Sequence, residues 1–143
     1  MSAVVKSEQT LFVDTGYFLA LGISRDTWHV RATEWAKQIQ TKKLKLVTTQ
    51  AVLFEIGTAL SRTTFRNLAS QLLRGIANDP IFEVIEMDTL RYRQALDLFE
   101  AHSDKDWSLT DCASFVVMRE LGLTHALSAD HHFEQAGFIA LLK

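Results

Sequence analysis

Long hydrophobic runs are missing from this 143-residue chain. None approaches the roughly 20 apolar residues that cross a bilayer, so no membrane-spanning helix is expected. Cysteine occurs once, at Cys112, which excludes an internal disulfide and agrees with a reducing compartment. Proline also occurs once, at Pro80, and the six glycines are scattered, so no linker, repeat or low-complexity tract divides the chain. The opening residues, MSAVVKSEQT, hold no long apolar segment and no cleavage motif. The expected location is therefore cytoplasmic. An excess of either charge is lacking too. Fifteen basic residues against 17 acidic ones give −2, which by itself argues against a nucleic-acid binder.

What is present describes a folded domain. With 48% hydrophobic and 22% charged residues, the chain can bury a core, and its length suits one domain. Residues 1–9 are polar enough to form a flexible start, leaving 10–143 as the domain. Short apolar runs at 11–13, 44–48, 81–87, 125–128 and 138–142 read as strands. Between them lie helical patterns. Trp28, Ala32, Trp35, Ala36 and Ile39 recur at spacings of three and four, the stripe of an amphipathic helix. Thr49, Asp88, Ser108 and Asp130 stand where helix caps are expected, and Asp79–Pro80 and Gly122 where helices stop. Strands alternating with helices build an α/β fold, a parallel sheet covered by helices.

Two of the strands run into aspartates, LFVDTG at Asp14 and ALSAD at Asp130. In such sheets ligands bind beyond the carboxyl ends of the strands, where the strand order reverses. Each acid also has a structural explanation. Asp14 can cap the following helix. Asp130 can cap a brief one. Asp111, three residues after Ser108, matches a capping box. Glu55, inside AVLFEIGTAL, is different: no lysine or arginine stands three or four residues away to pair with it. It is either just exposed or turned into a cleft. Asp104 and Asp106 read as a solvated loop, with Asp106 a secondary candidate for the site. Adjacent His131 and His132 are expected to point in different directions and to stay outside the site, because paired ligands on a helix stand further apart. Together Asp14, Glu55, Asp111 and Asp130 form a carboxylate cluster whose members repel, so their pKa values must rise unless cations are bound. Oxygen-only ligation suits Mg²⁺ or Mn²⁺. Two such ions about 4 Å apart activate water and stabilise the leaving oxygen of a phosphodiester. Setting those four acids aside leaves 13 acidic residues against 15 basic ones, compatible with an RNA backbone held near metal.

With FVDTGYFLAL, TTQAVLFEIGTAL, DWSLTDCASFVVM and ALSADHHFEQAGF in that order, the chain resembles the PIN-domain family, and within it the VapC-type toxin ribonucleases of toxin–antitoxin pairs. The resemblance runs from Leu11 to Leu142. It implies a five-stranded parallel sheet in the order 3-2-1-4-5. It also implies a metal-dependent ribonuclease whose acidic quartet, Asp14, Glu55, Asp111 and Asp130, holds one or two Mg²⁺ or Mn²⁺ ions. Thr15 and Ser128 are further candidates, Ser128 as the polar residue two before the last acid. The implied partners are single-stranded or structured RNA, a second copy in a homodimer, and a small antitoxin. Trp28, Trp35 and Phe18 are many aromatics for two short helices, and they suggest the docking surface.

Three other readings compete. A phosphatase or dehalogenase with a nucleophilic aspartate usually needs a second aspartate two residues on, where this chain has Gly16. A non-catalytic PIN-like module that binds RNA or protein needs no complete quartet. An orphan PIN nuclease without an antitoxin keeps the chemistry and loses the toxin role.

Overall fold

The computed structural model describes residues 10–143, so the expected flexible start lies outside the described residues. The chain runs β1 (Thr10–Val13), α1 (Thr15–Gly22), α2 (His29–Lys42), β2 (Lys45–Thr49), α3 (Gln50–Ala59), α4 (Thr63–Asn78), β3 (Phe82–Ile85), α5 (Thr89–Ala101), α6 (Leu109–Leu121), β4 (His125–Leu127), α7 (His131–Gln135) and β5 (Ile139–Ala140). All pairings are parallel and the order is β3-β2-β1-β4-β5, as the resemblance implied.

Local chemistry sets the boundaries. Thr49 Oγ1 accepts from the Val52 amide and starts α3, and the Asp88 carboxylate accepts from the Arg91 amide and starts α5. Gly122 ends α6 in the left-handed region, at φ 68°, where a Cβ is costly. The outermost strands are shorter than their apolar runs. β3 covers four residues and β5 two, because each has a neighbour on one side only.

β1 lies in the middle, with Phe12 and Val13 fully buried. Its order has one consequence for function. The chain adds β2 and β3 on one side of β1, then returns to place β4 and β5 on the other. The strand order therefore reverses between β1 and β4, and their carboxyl ends are where sheets of this kind bind ligands. Asp14 follows β1 and Asp130 lies just beyond β4. Beneath them is an aromatic stack that fixes the helices to the sheet. Phe133 of α7 lies 6.2 Å from Phe12 of β1 and 5.0 Å, edge to face, from Phe115 of α6.

Of the aromatics expected at a docking surface, Phe18 is used inside the fold. Phe18 is buried against Phe82, with ring centroids 5.7 Å apart. Trp28 and Trp35 are half-buried against the core, and the Trp35 indole donates to the Leu141 carbonyl at 3.3 Å. Among the described residues the most exposed large apolar side chains are Phe54 of α3, at 79%, and Val30 of α2, at 66%.

Candidate active site

Asp14 is the most constrained of the candidate acids. It is 7% exposed and its side chain makes no capping hydrogen bond to α1, so the capping explanation fails for it. Instead it accepts a hydrogen bond from the Ser128 hydroxyl at 3.0 Å. Burial pushes its carboxyl up from 3.8 to about 7. The Ser128 hydroxyl and the Thr15 amide hold it back, and the charges of Asp111 and Glu55 raise it further. That electrostatic contact also shows that α3 and α6 bring Glu55 and Asp111 towards the end of β1. Beside Asp14, Thr15 Oγ1 is a buried polar atom with no hydrogen-bond partner among the described residues.

Ser128 joins the two strand ends. It is fully buried, donates to Asp14, and accepts from the Asp130 amide at 3.0 Å. The backbone continues the link, with the Asp14 amide donating to the Leu127 carbonyl at 3.2 Å. Asp130 caps α7 as expected, accepting from the His132 amide at 2.9 Å. Asp111 completes the capping box: its amide donates to Ser108 Oγ, and its Oδ2 accepts from the Ser108 amide, both at 3.0 Å. The same Oδ2 lies 3.0 Å from His132 Nδ1. Glu55 is half-buried on α3. Asp106 stays exposed before α6, and no hydrogen bond or ion pair ties it to the quartet among the described residues.

The histidine pair departs from expectation. The rings of His131 and His132 do not diverge; their centroids are 4.4 Å apart. Both Nδ1 atoms approach Asp130 Oδ1, at 3.6 Å for His131 and 3.3 Å for His132. Spacing alone hid this, because both histidines follow a capping aspartate whose carboxylate turns back over the helix start. The pattern D-H-H after a strand-end serine was the available signal.

A cavity of about 790 Å³ lies elsewhere, lined by Lys43, Lys45, Phe82 and apolar neighbours at the amino ends of β2 and β3. None of the four acids lines it. The candidate site is therefore at the β1 and β4 ends and apart from that cavity. The residues that could hold a hard divalent cation are Asp14, whose carboxyl burial holds near neutrality, Asp111 and Asp130, with the unpartnered Thr15 hydroxyl beside them and the charge of Glu55 reaching Asp14 from α3.

The PIN-domain family model matches residues 11–139. The chain belongs to the PIN-domain family. This PIN domain is 31% identical over 130 residues to the 23S rRNA-specific endonuclease VapC20 of Mycobacterium tuberculosis, in strains H37Rv and CDC 1551, covering 90% of this chain and 95% of the relative. It is also similar to the crystal structure of M. tuberculosis VapC20, described as a sarcin–ricin loop cleaving toxin. That likeness has a TM-score of 0.79 and 29% identity, over 90% of this chain and 96% of the other. No helix of this PIN domain, among the described residues, is long and apolar enough to cross a membrane.

Proposed function

We propose that the protein is a metal-dependent endoribonuclease of the VapC type, with Asp14, Glu55, Asp111 and Asp130 as its catalytic acids. The observation that carries this reading is Asp14, a buried carboxyl raised to about 7 by burial and by neighbouring acids at the switch point of the sheet. Such a group is poorly placed for stability alone and well placed to meet a cation. Bound among these carboxylates, one or two Mg²⁺ or Mn²⁺ ions would supply an activated water and balance charge on the leaving oxygen of RNA. The chain's own residues prepare that chemistry. Ser128 fixes the Asp14 and Asp130 ends together. The Ser108 amide orients Asp111. The half-buried Glu55 adds negative charge from α3. Thr15 Oγ1 is left to bond a ligand or water.

The likeness to VapC20 supports RNA as substrate and makes a sarcin–ricin-type rRNA hairpin the first one to test. It also supports a toxin role; a small antitoxin and a second copy of this chain are the partners we propose with it. Buried Phe18 does not argue for either partner; exposed Phe54 on α3, beside Glu55, does.

The test is cleavage of that hairpin by purified protein. Cutting with Mg²⁺ or Mn²⁺, lost in EDTA and in Asp14→Asn, is expected. Undiminished cutting in EDTA, from a preparation free of other ribonucleases, refutes the mechanism. Expression alone, and then with a small neighbouring reading frame, tests the toxin role. Growth arrest relieved by the neighbour supports it. A harmless protein that elutes as a monomer and binds nothing encoded nearby leaves an orphan PIN nuclease.

A further inference from the structure

We propose that His132 is a nitrogen ligand of this carboxylate centre and tilts its preference from Mg²⁺ towards transition-metal ions. The inference rests on the metal-dependent reading above and deepens it. His132 Nδ1 lies 3.0 Å from Asp111 Oδ2 and 3.3 Å from Asp130 Oδ1, so one imidazole nitrogen stands between acids carried by two different helix starts. An octahedral ion with bonds of about 2.1 Å places neighbouring ligand atoms about 3.0 Å apart. The Nδ1 spacings match such edges. The ring is also held in place. The His132 side chain is only 16% exposed, and its own amide donates to Asp130 Oδ1 at 2.9 Å, so acid and imidazole are tied to one turn of backbone. His131 is the lesser candidate. Its Nδ1 is 3.6 Å from the same oxygen and its side chain is 64% exposed. The ligand atoms of Asp130, His131 and His132 all lie within 4.8 Å of one another.

The chemistry follows from the donor type. Oxygen-only sites suit Mg²⁺, whereas an imidazole nitrogen adds affinity for first-row transition metals, more for Co²⁺ than for Mn²⁺. The competing role for His132 is purely orienting: Nδ1–H donates to Asp111 and holds that carboxylate while nitrogen stays off the metal. The two roles differ in whether nitrogen is bonded to the ion.

Pulsed EPR of RNA-free protein loaded with Mn²⁺ reads that bond directly. The expected result is the nitrogen coupling of a bound imidazole, kept in His131→Gln and lost in His132→Gln. Calorimetric titration with Co²⁺ and Mg²⁺ should show the Co²⁺-over-Mg²⁺ affinity ratio falling about tenfold or more in His132→Gln. A wild-type spectrum without bonded nitrogen overturns the proposal whether or not the variants fold. So does a coupling that survives in His132→Gln. Neither measurement uses RNA, so the two readings fail separately. Protein that cuts RNA with Mg²⁺ but shows no bonded nitrogen keeps the nuclease reading and loses this one. Protein that binds Mn²⁺ through nitrogen and cuts no RNA keeps this one and loses the other. Protein that binds no divalent ion loses both.

Discussion

Asp14→Asn should make the cation-free protein more stable, and by an amount that depends on pH. The Asp14 carboxyl titrates at about 7 in the folded chain against an ordinary 3.8. Below 3.8 both folded and unfolded chains carry the proton and ionisation costs nothing. Between 3.8 and about 7 the folded chain holds a proton that the unfolded chain has released, so folding stability falls as pH rises. Above about 7 both are ionised and the full cost is present. At about 1.4 kcal/mol per pH unit, the gap amounts to a ceiling of about 4 kcal/mol. Asparagine keeps an oxygen to accept from Ser128 and never ionises, so it escapes this cost. For a chain of this size about 3 °C accompanies each kcal/mol, so the ceiling corresponds to roughly 10 °C. The assay is thermal unfolding of both proteins in EDTA from pH 4 to pH 8. The variant should melt close to wild type at the acid end and well above it at the alkaline end. Millimolar Mg²⁺ or Mn²⁺ should then raise the wild type and leave the variant nearly unmoved. A difference that is constant across pH, or a variant less stable at pH 8, refutes the argument that Asp14 is a destabilised acid awaiting a cation.

Ser128→Ala removes the donor to Asp14 and the acceptor of the Asp130 amide inside a fully buried site, so about 1–3 kcal/mol of stability should be lost in urea titrations at pH 5. Its loss should also move the Asp14 carboxyl above 7, read by NMR of the side-chain carbon, since the Ser128 hydroxyl holds that value down. Glu55→Gln, at a half-buried helix position with no ion pair among the described residues, should change stability by less than about 0.5 kcal/mol while abolishing hairpin cleavage in gel assays. Phe133→Ala should cost about 3–5 kcal/mol and reduce cation affinity measured by calorimetry, because this ring seats the helix that carries His132.

Much of the fold could be read along the chain because its punctuation is local. Thr49, Asp88, Ser108 and Asp130 each act on an amide two or three residues away, and each caps as the sequence implied. The meeting of Asp14 and Asp130 required one further step, the strand order, which the motifs supplied. What escaped was long-range. The Arg31 guanidinium and the Trp35 indole both donate to the Leu141 carbonyl, more than a hundred residues away, so part of an apparently surplus aromatic stripe ties α2 to the end of the chain. Phe54 shows the reverse, lying in an apolar run yet left facing solvent. His132 escaped for a different reason. Spacing rules describe residues inside a helix, and His132 sits at a start where the capping carboxylate returns over the first turn.

The four proposed acids come from β1's end, α3, α6 and the cap of α7, so no contiguous piece of the chain carries them all. A chain growing from its amino end has Asp14 and Glu55 long before Asp130. Even then the first acid gains its Ser128 contact only when β4 has paired with β1. The link between Asp14 and Ser128 thus depends on β4 standing in place beside β1. It is dismantled by any cut or opening that frees β4.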